Sequence, residues 1–136
     1  PDIAARTGAM ATALMVAGRD KNFANSLAES LVRLNGRMRH AHAMSSIGLI
    51  FGFSGIKQGS PRKYPEVMET WVPYLELSRL PRGGAAFFGG KRNIGGDQYL
   101  GLPSIGNASV GMVLASAENR LFMHGGTRKG WFGKAN

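Results

Sequence analysis

Three short apolar segments constrain this chain more than any other feature: TALMVAG at 12–18, IGLIFGF at 47–53 and VGMVLAS at 110–116. A bilayer span needs roughly 18–20 apolar residues, so none of them can cross a membrane. Each is apolar nearly all round and reads as a helix buried against other helices. Laid over one another, their small residues coincide at Ala13, Gly48 and Gly111, then at Ala17, Gly52 and Ala115. Large residues coincide at Leu14, Leu49 and Met112, then at Met15, Ile50 and Val113. Small residues at i and i+4 share a helix face and let a neighbouring helix approach closely. A repeated unit of this kind, a buried inner helix paired with an amphipathic outer one, is the signature of a stacked or closed helical array.

The remaining helices follow from periodicity and punctuation. The first should run over 6–17 and stop at Gly18. Asp20 to Asn22 can cap a second over 23–35, whose Phe23, Leu27, Leu31 and Leu34 form the stripe expected to face the core, with Gly36 ending it. The inner helix over 40–53 should break at Gly55, Gly59 and Pro61. An amphipathic helix over 64–78 carries Val67, Trp71 and Leu75 on one side, and Pro73 should kink it or displace its end. The last inner helix covers 104–117.

Between these helices lies GGAAFFGGKRNIGGDQYLGL, Gly83 to Leu102, with seven glycines in twenty residues. Its aromatic residues argue for an ordered excursion, because Phe87, Phe88 and Tyr99 can bury enough area to offset the ordering cost of glycine. Phe87 and Phe88 should split, one ring packing inward. The glycines at 89, 90, 95 and 96 should supply tight turns, and AAFFGG can form a short two-stranded ribbon.

The motifs RTGAMATAL, MRHAHAMSSIGLIFGF, WVPYLELSRLPRGGAAFFGGKRNIGGDQYLGL and NRLFMHGG resemble the later part of an α/α-toroid domain. They are most similar to a bacterial family of uncharacterised proteins in which a PDZ-like segment precedes a terpene-cyclase-like toroid. The resemblance covers most of residues 5–126 and implies an all-α fold, a partial α/α-toroid with a glycine-rich ordered insertion. It also implies a secreted or periplasmic location. It implies no established activity: the Asp-rich motif of terpene cyclases and the His, Cys and Asp zinc set of the related prenyltransferases are both absent. The abrupt start at PDIAARTGAM suggests a fragment, a processed product or one piece of a larger protein. Three inner helices make about half a ring, so the apolar inner face should be covered by a second copy or by the missing remainder of the toroid.

Few residues suit chemistry. His40 and His42 flank Ala41 and point to different sides of a helix, which makes them poor joint metal ligands; no metal or cofactor motif is present. His42, at the start of an inner helix, lies where a toroid would bind a ligand. Arg92, Asp97 and Tyr99 on the glycine-rich stretch supply a guanidinium, a carboxylate and a phenol, a set able to hold a polyhydroxylated ligand such as a carbohydrate. Asp97 is the candidate acid or base. The other seven of the eight acids lie mostly on outer helices, so the second member of a paired-carboxylate glycosidase is missing or lies in another chain. The net charge of +9 admits nucleic acid, but the basic residues are scattered in runs of no more than two, which makes that partner unlikely. The leading expectation is a non-catalytic helical interaction domain. A carbohydrate-directed site and a basic nucleic-acid-binding domain are the alternatives.

Overall fold

The computed structural model describes residues 3–43, 45–85, 87 and 103–121. It is predominantly helical, and among the described residues no strand is formed beyond an isolated bridge between Arg79 and Ala85. Helix α1 spans Ile3–Val16, α2 Lys21–Arg33, α3 Ser45–Gly59, α4 Tyr64–Leu77 and α5 Pro103–Ala117. A 3₁₀ segment, Asn35–Ala43, joins α2 to α3, and a short one, Pro61–Lys63, leads into α4.

Helix α3 is the axis of the fold. It packs against α1, α2, α4, α5 and the 3₁₀ segment. Its sequence explains why. Gly48, Gly52, Gly55 and Gly59 recur at i, i+4, i+7 and i+11 and form one ridge, while Leu49, Phe53 and Ile56, each one residue later, form a second. The apolar ridge is fully buried in the main core with Tyr64, Val67, Trp71, Leu75, Phe87 and Val113.

The glycine ridge lets other elements approach as close as backbone allows. A Cβ placed on Gly8 of α1 would stand 2.1 Å from the Phe51 carbonyl oxygen, and one on Gly55 would stand 2.8 Å from the Gly8 Cα. Further along, a Cβ on Gly59 would meet the Ala28 Cβ at 2.6 Å and the Ala24 carbonyl oxygen at 3.0 Å, so α2 seats there. Met38 of the 3₁₀ segment is fully buried and plugs the ridge at Gly52.

Several expectations are corrected here. Gly55 and Gly59 do not break the inner helix, which begins at Ser45 rather than 40 and runs to Gly59; residues 40–43 belong to the 3₁₀ segment. Glycine costs a helix about 1 kcal/mol per site, and close packing against α1 and α2 outweighs that. Of the two effects expected of Pro73, an early end to α4 does not occur, since the helix continues to Leu77. The expected core stripe of α2 holds only at Leu31 and in part at Leu27. Ala24, Ala28 and Leu31 are buried, whereas Phe23 is 54% and Leu34 46% exposed. The overlaid small residues also part company, since Gly48 and Gly52 are buried while Ala13, Ala17 and Gly111 face solvent. The small residue that α1 presents to α3 is Gly8.

Candidate functional site

The concave feature of the described residues lies between α4, α5 and the turn after α4. Met68, Val72 and Leu75 come from one helix, Val110, Gly111 and Leu114 from the other, and together they bound an open cavity of about 450 Å³. Val72 and Leu114 are each 47% exposed at its mouth. A Cβ on Gly111 would meet nothing within 4 Å, so this glycine widens the cavity.

The core that α4 shares with α3 is held by aromatic packing. Phe53 meets Tyr64 edge-on at 5.6 Å and Trp71 at 5.9 Å, Trp71 meets Tyr74 at 5.1 Å, and Tyr74 stacks flat on Phe87 at 5.8 Å. Such pairs add to simple area burial. Their polar ends are satisfied. Tyr64 Oη donates to the Val113 carbonyl at 2.8 Å, tying α4 to α5, and Trp71 Nε1 donates to Asn35 Oδ1 at 3.1 Å. Burial pushes the Tyr64 phenol well above its ordinary value, with a hydrogen bond involving Ser116 opposing the shift. The Arg39 guanidinium lies over Tyr74 at 4.7 Å and Trp71 at 5.7 Å, a cation–π contact from the 3₁₀ segment.

One end of the cavity is closed by a tight hairpin. The Leu80 amide donates to the Gly84 carbonyl and the Gly83 amide to the Leu80 carbonyl, both at 2.9 Å. Pro81 presets the first turn residue, and Gly83 takes a left-handed φ of 89° that other residues resist. Asn107 of α5 clasps the hairpin by accepting from the Ala85 amide at 2.5 Å. This turn carries the isolated bridge between Arg79 and Ala85; the ribbon expected over AAFFGG falls mostly outside the described residues. Charges at this rim pair locally: Arg79 with Glu76 at 3.0 Å, and further back Lys63 with Glu66 at 3.0 Å.

The carbohydrate set is not brought together among the described residues. Arg92, Asp97 and Tyr99 lie outside them, as do Phe88 and the glycines at 89, 90, 95 and 96. His42 falls in the 3₁₀ segment rather than at the start of α3, and its side chain is outside the described set. Phe87 is the inward phenylalanine, 7% exposed. Among the described residues no three His, Asp or Glu side chains cluster as a metal site would require, and no helix is long and apolar enough to cross a membrane. The cavity-lining Val72 and Leu114 carried no signal in the sequence beyond membership of a helix, and Gly111 stood out only as a small residue of the overlaid segments. No family model, curated protein or solved structure matches the chain.

Proposed function

We propose that this chain is a non-catalytic helical interaction domain that docks through the α4–α5 cavity onto a second copy of itself. The observation that carries the reading is Leu77, 83% exposed at the end of α4, taken with the open apolar cavity. A large aliphatic side chain left in water, on a chain with an open apolar hollow of about 450 Å³, favours an interface in which each copy's Leu77 enters the other's cavity. Charge supports the two-fold arrangement. Once the Lys63–Glu66 and Glu76–Arg79 pairs are set aside, Glu69 on α4 and Arg82 beyond its end have no ion pair among the described residues. An antiparallel apposition of two α4 helices puts Glu69 of one copy against Arg82 of the other.

The finer architecture, a partial α/α-toroid with α1, α3 and α5 as inner helices, belongs to this proposal. Its support is that α3 packs against both α1 and α5. The second copy then occupies the place of the missing part of the ring.

Sedimentation equilibrium and light scattering at micromolar concentration test the reading. A dimer is expected, and Leu77→Asp should return it to a monomer without lowering helicity. Glu69→Arg should weaken the dimer and the added Arg82→Glu should restore it. A monomer throughout the micromolar range, or a dimer indifferent to Leu77→Asp, overturns the proposal.

A further inference from the structure

Helices α1 and α2 are built inside out. The residues they bury are small: Ala4, Ala5, Gly8 and Ala11 on α1, Ala24 and Ala28 beside the single Leu31 on α2. The residues they leave in water are large: Ile3 at 60% exposure, Met10 at 51%, Phe23 at 54% and Leu34 at 46%. The glycine ridge of α3 accounts for the first half, since only small residues can seat that closely. It gives no reason for the second, because a solvated face needs no isoleucine or phenylalanine.

Helices α1 and α2 pack on each other as well as on α3, and the charge on the exposed side of this hairpin is lopsided. Arg19, Lys21, Arg33 and Arg37 are all exposed along the hairpin and the turn that follows it. Two acids accompany them among the described residues. Asp20 sits at the tip between the helices, and Glu29 is turned inward, its carboxylate accepting from the Ser60 hydroxyl. Large apolar side chains set among cations, on helices too short to cross a bilayer, fit the plane of an anionic lipid surface: the apolar groups enter the acyl boundary while Lys and Arg stay with the headgroups.

We infer that the outer face of the α1–α2 hairpin binds anionic membrane surfaces. The charge that attracts phosphate headgroups repels a second copy of this basic chain, and Ile3, Met10 and Leu34 have no use against a nucleic-acid backbone. The face is separate from the α4–α5 cavity, so the inference stands whether or not the chain dimerises there.

The test is flotation of the whole chain with vesicles of phosphatidylcholine and phosphatidylglycerol, against vesicles of phosphatidylcholine alone. Binding to the anionic vesicles is expected, weakening as salt rises, with little to the neutral ones. The double variant Phe23→Ser, Leu34→Ser should lower the affinity by about tenfold or more, and Arg33→Glu with Arg37→Glu should abolish it. All four side chains are exposed, so unchanged helicity and melting serve as the folding check. In a Phe23→Trp variant, indole emission should shift to the blue on adding anionic vesicles. Leu77→Asp should bind vesicles as the parent does. Absence of binding, equal binding to neutral vesicles, or retention by the Phe23→Ser, Leu34→Ser variant overturns the inference. So does a preference for single-stranded nucleic acid that competes the vesicles off.

Discussion

The two sides of α3 solve the same packing problem by opposite means. On its glycine ridge α1 and α2 approach almost to backbone contact and the Met38 side chain fills the gap at Gly52, so the contact is made of many small dispersion terms at short range. On its Leu49–Phe53–Ile56 ridge the space is wide and filled by Tyr64, Trp71 and Phe87, whose rings meet edge-on or stacked and whose polar ends are hydrogen-bonded. The first side has no room to gain an atom. The second cannot lose one without leaving a void. Close packing selects small residues for the buried faces of α1 and α2, whereas α4 buries large ones, Tyr64, Val67, Met68, Trp71 and Leu75.

The sharpest way to break this comparison is Gly8→Ala. In a solvated helix that change stabilises by up to about 1 kcal/mol. Here the added methyl would fall 2.1 Å from the Phe51 oxygen and 2.5 Å from its carbonyl carbon, and neither atom can step aside without moving α3. The cost should exceed about 4 kcal/mol, enough to unfold a domain of ordinary stability. Urea denaturation with far-ultraviolet circular dichroism measures it. A loss below about 1 kcal/mol would mean the helices do not cross there.

Gly52→Ala should cost less, about 1–3 kcal/mol, because the atom it meets is the Met38 sulfur, the far part of a flexible side chain. The same contact offers a rescue. Met38→Ala alone opens a void, but in the double variant the two changes should partly cancel, giving a coupling of about 1 kcal/mol or more in a double-mutant cycle. Strict additivity would show that Met38 does not plug the ridge.

On the aromatic side, Tyr64→Phe removes one buried hydrogen bond and should cost about 1–2 kcal/mol at neutral pH. Its pH dependence has a definite sign. The folded phenol titrates above its ordinary value of 10.0, so the stability linked to it is fully present below that pH. As pH rises further, the unfolded chain ionises first and the stability is lost. Thermal melts of the parent and of Tyr64→Phe should therefore run parallel from neutrality to about pH 10 and converge above it. Parallel curves to higher pH would place Tyr64 in water.

The sequence carried the helices better than their faces. Gly18 ends α1 within two residues of the expected point, and Val67, Trp71 and Leu75 face the core of α4 as their spacing required. The face of α2 was misread because Phe23 and Leu34 are the more hydrophobic choice in isolation; what seats Ala24 and Ala28 instead is a glycine on another helix, which no local window contains. Gly55 and Gly59 were misread for the same reason. The candidate site was less legible still, since Val72 and Leu114 become a cavity mouth only when two helices far apart in the chain converge.

Gly111 separates the two explanations for glycine in this fold, and its replacement has the smallest expected effect. It lies in α5, in line with Gly48 when the apolar segments are overlaid, yet it is exposed and a methyl there would touch nothing within 4 Å. If close packing is what retains glycine on α3, then Gly111→Ala lacks that penalty and keeps only the gain in helix propensity. It should stabilise the isolated chain by about 0.5–1 kcal/mol in the same urea titration. Gly111 also widens the cavity proposed to receive Leu77 from a second copy, so the substitution should leave dimer affinity unchanged or reduced while the monomer becomes more stable. Destabilisation of the monomer by more than about 1 kcal/mol would mean that α5 packs by a glycine ridge of its own, and the contrast between the two sides of α3 would not extend to it.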